Sequence, residues 1–560
     1  MPDNTLIQVI LPLRLGWEPC YWAPDSVSAG DRVLVSFARR QYVAVVHRVG
    51  VEADFDLSKV QAVLDIDTGL PPITSRELEF WEFISSYYLC SIGEVYYAAY
   101  PYNKVNSEKV AVRAAQAAGR RIGQEQAACM RRLERVEGRI EVKAAVLAAR
   151  KASSRASADV TARLEHELGE LEKQRADLQH RIGALAARMP EEPCLKSAPA
   201  SHEPSKPALL QSSSRIQTYK EAIRETVAEG RQVLVLTPDI LYCRSVSASI
   251  AEEFPQMQMF TSKETPATRR RIADSVRDGS AEIIVGTRSA IFLPFSDLGL
   301  IIVDEEQDTF YKQEDTAPRY NGRDCAVKLA SIHCSRVILG SSCPSLETLL
   351  NARCGRYRVL EGSGPVPCGA VVIDIAAEKR KRGVTGAFTF KLIEAVRRTP
   401  GKVVLIRGWE RPEDLSAQIE ELFPGRDIPV MRYLQARDAD LSDTGLVAVL
   451  QADALVDDTD FRADEKAAQI VSQLVARCRT LVVQTNVVSR FDGSRTIGDL
   501  LDERRDFGFP PYTRAVELRR RGSSEVAQRF FLKKDASLAA RKAEIAGKAG
   551  KDEYVDVDPL

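Results

Sequence analysis

Three rhythms of apolar and polar positions run along this chain, and each predicts a different element. Asp31 to Phe37 alternates as a half-buried strand does, and Tyr42 to His47 repeats the pattern after a turn carrying Arg39 and Arg40. A helical stretch follows from Glu77 to Tyr88 and stops near Leu89–Gly93. Residues 1–107 therefore read as a small β-rich module with a helix. Over residues 108–189 proline vanishes and Ala, Arg, Glu and Leu dominate. Leu164, Leu168, Leu171, Leu178, Ile182 and Leu185 recur at heptad spacing, with Arg175 at the skipped position. Leu133, Val136, Ile140 and Leu147 form a weaker seam, and the polar run Ser153–Ser157 lies between the two. This pattern predicts a helical hairpin packed as an antiparallel coiled coil, either a spacer or a partner-docking arm.

Five prolines at 190, 193, 199, 204 and 207 make residues 190–207 an extended linker. Beyond it, short apolar runs alternate with helical segments: Val233–Thr237, Ile283–Gly286, Leu300–Val303 and Val337–Gly340. A second set follows at Val403–Ile406, Leu446–Leu450 and Leu481–Gln484. Short apolar strands separated by helices argue for parallel sheets covered on both faces. The expected fold class is thus α/β multidomain. One α/β lobe is placed at 208–366, a smaller one at 367–500, and a short C-terminal domain at 501–560.

Composition narrows the function classes. Lys+Arg and Asp+Glu both number 78, so a uniformly basic nucleic-acid binder is excluded, although a local basic groove is not. The eleven cysteines include no CxxC pair, and the five histidines sit at no ligand spacing from cysteines, so no metal and no structural zinc are expected. No run approaches the roughly 20 apolar residues of a membrane span, and Met1–Asn4 does not begin a secretion signal. A cytoplasmic location without membrane contact is expected.

The strongest chemical signal is Ile301-Ile-Val-Asp304-Glu305-Glu306-Gln307. An apolar strand ending in Asp-Glu is the Walker B arrangement, in which Asp304 would hold Mg²⁺ through water and Glu305 would polarise the attacking water. Phe310, Tyr311, Lys312, Arg319, Tyr320 and Arg323 follow closely. Aromatics interleaved with cations suit base stacking and phosphate pairing, and equally a packing loop. Arg39 and Arg40, with the tyrosines at 96, 97, 100 and 102, are candidate DNA contacts in the N-terminal module.

These blocks resemble the primosomal protein N′ (PriA) family, superfamily 2 DNA helicases of replication restart. Val303–Lys328 resembles the family's DEEH motif and aromatic-rich loop. Thr237-Pro238-Asp239, Gly286–Phe292, Gly340–Glu347, Ala452–Glu465 and Phe509–Tyr512 resemble further family motifs in order. Gly30–Val33 and Tyr87–Val95 resemble its N-terminal module, which binds the 3′ end of a nascent strand. The resemblance implies two RecA-like parallel-sheet lobes and DNA at a fork as partner. It also implies primosome or single-strand-binding proteins as further partners.

Several family features are altered. The ATP loop should follow Leu209-Leu210, yet Leu210 to Tyr219 contains neither glycine nor lysine, leaving Ser214 and Arg215 as its only candidate phosphate ligands. Gln307 stands where the family has His. The segment Gln473–Arg479 resembles its last motif without the glycines, and Arg477 is the arginine-finger candidate. The zinc-binding region expected after Ile406 is missing, so the second lobe is truncated, and the C-terminal domain reads as shortened. The expectation is a degenerate, shortened member that binds forked DNA without ATP-driven unwinding and needs no cofactor. One alternative is an active 3′→5′ helicase using ATP and Mg²⁺ through a divergent loop. The other is a coiled-coil interaction scaffold with vestigial DNA binding.

Overall fold

The structure is a computed structural model. Apart from isolated positions it describes residues 4–52, 55–66, 70–101, 135–148, 158–186, 205–362, 369–408, 415–523 and 525–560. The N-terminal module is a four-stranded antiparallel sheet of β1 (Asn4–Ile10), β2 (Cys20–Pro24), β3 (Arg32–Phe37) and β4 (Arg40–Val49), ordered β2-β1-β4-β3. The alternation in β3 places Val33 and Val35 in the core. Phe37 pairs with Arg40, so Ala38 and Arg39 alone make the turn. Both have positive φ, 47° and 63°, in a two-residue hairpin that ordinarily favours Asn-Gly. Two helices follow, α1 (Ser75–Tyr88) and α2 (Ile92–Ala99). Each starts with a capping box, Thr74 with Glu77 and Ser91 with Glu94, which satisfies amide donors that would otherwise lack partners.

In the predicted hairpin region a helix covers Ala158–Ala186, and helical residues also occupy 135–148. Lys143 on one pairs with Glu167 on the other. Leu147 and Leu171 are buried, and Leu164, Leu168 and Leu178 are half-buried, whereas most neighbouring positions are exposed. The polar run at 153–157 and most of the proline linker lie outside the described residues.

The first lobe is a seven-stranded parallel sheet ordered β11-β5-β10-β9-β6-β8-β7. Its strands are β5 (Ala208–Gln211), β6 (Gln232–Leu236), β7 (Gln258–Phe260), β8 (Ile283–Gly286), β9 (Leu298–Asp304), β10 (Arg336–Ser341) and β11 (Arg358–Val359). Helices cover both faces, which is why β6, β8 and β9 are buried at every position. The apolar runs of the sequence locate four of these strands; β5, β7 and β11 are too short or too polar to stand out. The second lobe is a five-stranded parallel sheet. Its order is Ala370–Asp374, Leu481–Thr485, Leu446–Leu450, Val403–Arg407 and Val430–Arg432.

The last segment is an antiparallel sheet of Val526–Lys533, Thr513–Arg520 and Glu553–Val557, with the helix Leu538–Lys548. It docks on both α1 and the first lobe. Lys542 Nζ donates to the Tyr87 carbonyl at 2.6 Å, and Tyr87 donates to Asp558 at 2.8 Å. Lys312, from the aromatic-rich loop, lies 2.7 Å from Asp556.

Candidate functional site

Asp304 and Glu305 stand at the carboxyl end of β9, between β10 and β6, where open parallel sheets place their ligands. Glu305 adopts positive φ, 50°. Both are buried, and both are engaged by the chain's own groups. The Arg215 guanidinium sits between them: Nε donates to Asp304 Oδ1 at 2.7 Å, Nη2 donates to Glu305 Oε1, and Nη1 donates to the Ser212 carbonyl at 2.6 Å. Tyr219 and Tyr242 donate to the two oxygens of Asp304 at 2.8 and 2.9 Å. The amides of Gln307 and Gln473 donate to Glu305 Oε2 at 2.6 and 3.2 Å.

The sequence explains this local arrangement. A glycine-rich loop would wrap its N–H groups around phosphate; here the loop between β5 and the helix Ile216–Ala228 is short and its Arg215 folds inward. Tyr219, one turn into that helix, lies over Gly340 of β10. A Cβ at position 340 would fall 1.7 Å from the tyrosine oxygen, so only glycine fits there. Burial would push the Arg215 guanidinium down, but Asp304 and Glu305 outweigh it and hold it well above its ordinary value. Burial, then Asp304, drives the Tyr219 phenol well above the usual range, so it stays a donor. Ser214 is exposed, and its amide turns to Ser212 Oγ at 3.2 Å. Both carboxylates thus already hold a guanidinium, and the loop offers no lysine.

The lobes meet across this site. Arg437 of the second lobe pairs with Asp239 and, at 2.9 Å, with Asp308 of the first, and its guanidinium lies 4.7 Å from the Phe310 ring centroid. Burial pushes the Asp308 carboxyl up to about 6, although Arg437 opposes the shift. Arg477, the arginine-finger candidate, lies 5.7 Å over the Tyr242 ring, on a pocket of about 650 Å³ at the lobe boundary, rather than on the acidic pair. Gln473 lies within the Gln473–Arg479 segment that resembles the family's last motif, whereas Arg437 and Tyr219 carry no local signal in the sequence.

The aromatic-rich loop is placed mostly inward. Tyr311 is fully buried and donates to the carbonyls of Leu236 and Asp304. Lys312 and Tyr320 are buried, and Arg323 is held by Glu306, Asp324 and Ser345. Arg319 lies 3.7 Å over the Tyr554 ring, and Phe310 is partly exposed. In the N-terminal module Arg39 and Arg40 are exposed at the hairpin tip. Tyr96 and Tyr100 belong to the core and Tyr97 is exposed, while position 102 lies outside the described residues.

A larger cavity, about 1540 Å³, opens where the N-terminal sheet, α1, the aromatic-rich loop and the C-terminal sheet meet. Trp17 and Tyr97 line it with exposed rings, and Arg14, Arg48, Lys328 and Arg521 line it with cations.

Residues 8–101 match the family model described as the 3′ DNA-binding domain (3′BD) of PriA. The replication restart protein PriA of Haemophilus influenzae is 29% identical over 392 residues, covering 63% of this chain and 51% of that protein. The Bacillus subtilis protein of the same name is 31% identical over 199 residues, covering 34% and 24%. Among solved structures, RecG bound to a three-way DNA junction aligns with a TM-score of 0.34 at 13% identity, over 55% of this chain and 42% of that one. The chain therefore spans about half the length of the Haemophilus relative. Motif order, the matched N-terminal domain and these relatives point the same way: residues 8–101 carry a PriA-type 3′ DNA-binding domain, and the chain is similar to the PriA replication-restart proteins.

Proposed function

We propose that this protein binds branched DNA carrying a 3′ end, as a replication-restart factor in the cytoplasm, and that it does so without ATP-driven unwinding. The observation that carries the second half is Arg215, seated on both Asp304 and Glu305. Mg²⁺ and a guanidinium compete for the same carboxylate oxygens, and expelling the guanidinium would leave a buried cation unpaired. The first half rests on the match of residues 8–101 and on the cavity beside Trp17 and Tyr97. Exposed rings there offer stacking surfaces and the flanking cations offer phosphate contacts. Arg39, Arg40 and Phe310 are the remaining candidate contacts with exposure to match. In this reading no nucleotide, magnesium or zinc is required, and primosome or single-strand-binding proteins are the partners.

Fork binding and ATP hydrolysis test the two halves separately. Anisotropy with a forked oligonucleotide bearing a free 3′ end should show salt-dependent binding, because phosphate contacts release counterions. DNA-stimulated hydrolysis should be no greater than in the Asp304→Ala, Glu305→Ala double variant. Hydrolysis that this variant abolishes would establish the helicase alternative. Absence of fork binding at low salt would leave the interaction-scaffold reading.

A further inference from the structure

His47 is the unusual residue of the large cavity. It projects from β4, and its side chain is only 6% exposed. Its two ring nitrogens each face a carboxylate: Nδ1 lies 2.6 Å from Glu18 Oε2, and Nε2 lies 2.8 Å from Glu82 Oε1. A neutral imidazole has one N–H and one lone pair, so it can satisfy only one ionised carboxylate and must repel the other. Only the imidazolium donates at both ends. Glu18 sits in the segment before β2, next to the exposed Trp17, whereas Glu82 sits on α1. His47 thus ties the Trp17 corner of the cavity to α1.

We infer that protonated His47 is a positioning residue that clasps the Trp17–Glu18 corner to α1, and that its deprotonation loosens the DNA-binding cavity. The inference rests on the reading of that cavity as the DNA site. The surroundings favour the charged form. The Glu18 hydrogen bond raises the imidazole above its ordinary value, burial opposes this, and Glu82 adds to the rise. Arg14, Arg48, Glu79, Glu94 and Lys328 also line the cavity, but only Glu18 and Glu82 meet the ring nitrogens. A group whose value is raised keeps its bound proton below that value and loses it as pH climbs through it. The clasp is therefore intact below that raised value and lost as pH climbs through it. Loss of one positive charge between two carboxylates also makes this wall more repulsive to phosphate.

Two measurements on the full chain test this. The first is anisotropy of a labelled fork with a 3′ tail, from pH 5.5 to 9.5. Affinity should fall with a single-proton midpoint above 6.5, by roughly tenfold for each pKa unit that DNA binding adds to His47. The midpoint should move down in Glu82→Gln, whose side chain is half exposed. The slope should vanish in His47→Gln. A flat wild-type profile, or the same slope in His47→Gln, overturns the inference. The second is histidine-selective imidazole NMR without DNA, assigned by the His47→Gln difference. A His47 midpoint at or below 6.5 overturns the clasp even if no DNA binds, so failure of the cavity reading and failure of the clasp are told apart.

Discussion

At the scale of single residues, Arg215 is the decisive feature. Its position in the chain identified it as a phosphate-ligand candidate, and its side chain took the opposite part, a cation satisfying the carboxylates. The Arg215→Ala variant leaves two buried carboxylates with only hydroxyl and amide donors. We expect a loss of about 3–5 kcal/mol of stability, the range for breaking a buried pair on one side, measured by denaturant unfolding. Restored ATP hydrolysis in that variant would instead mean that Arg215 is merely a blocker. Asp308 carries a pH prediction at the same scale. Its value is raised to about 6 in the folded state, so the folded form binds the proton more tightly than the unfolded chain. The stability it contributes is fully present below the unfolded carboxyl value and is lost as pH rises through about 6. Thermal melts between pH 4 and 7 should show this fall in the wild type and less of it in Asp308→Asn.

Among the elements, the stretch from β9 to the helix Gly322–His333 connects most of the molecule. It begins at the acidic pair, passes Asp308 and Phe310 at the lobe boundary, and places Lys312 against the C-terminal sheet. Lys312 continues an ionic chain: Arg519 lies 3.9 Å from Asp556 and 2.6 Å from Glu517, which Arg529 meets at 2.5 Å. Aromatics and cations in this stretch suggested a nucleic-acid loop, but Tyr311, Lys312, Tyr320 and Arg323 are spent on packing and internal pairs. Alternation of residue types cannot reveal that, because it does not record which side chains turn inward, and the carboxylate that Lys312 meets, Asp556, comes from a strand far away in sequence. Replacing Lys312 with Met should cost about 3–5 kcal/mol, since buried Asp556 loses its nearer cation and keeps only the more distant Arg519. It should loosen the C-terminal sheet first, visible as faster amide exchange in 513–520 and 553–557. Gly340→Ala should displace the Tyr219 hydroxyl from Asp304, and Tyr219→Phe should recover part of that loss in the double variant. Additive losses in that cycle would refute the contact.

For the molecule as a whole, two lobes face each other with the seam closed by their own side chains. Arg437 with Asp239 and Asp308, Gln473 with Glu305, and Ser472 with Ser342 all cross it. Glu465 adds a carboxylate that accepts from the Leu346 amide at 2.9 Å and from Arg504 at 3.0 Å. A nucleotide-driven motor needs a seam that closes when ligand arrives. Here the interlobe distance, measured by energy transfer between labels on the two lobes, should not change on adding a magnesium–ATP analogue. Arg437→Ala should widen its distribution.

The strand-rich start, the parallel lobes and the position of the acidic pair are legible in the sequence alone, as are the motifs it shares with the PriA proteins. Those properties are written in local periodicity and contiguous motifs, which short stretches of chain carry unaided. The sequence also exposed the altered loop, because a phosphate cradle needs glycine and lysine at fixed places. What fills that place, and what each charged group does, is set by folding. Arg215, Tyr219, Tyr242 and Gln473 converge on two carboxylates from three separate segments, and His47 finds Glu18 and Glu82 on two others. Whether a charge faces solvent, DNA or a buried partner depends on burial and on neighbours brought in by folding, and no spacing along the chain records either.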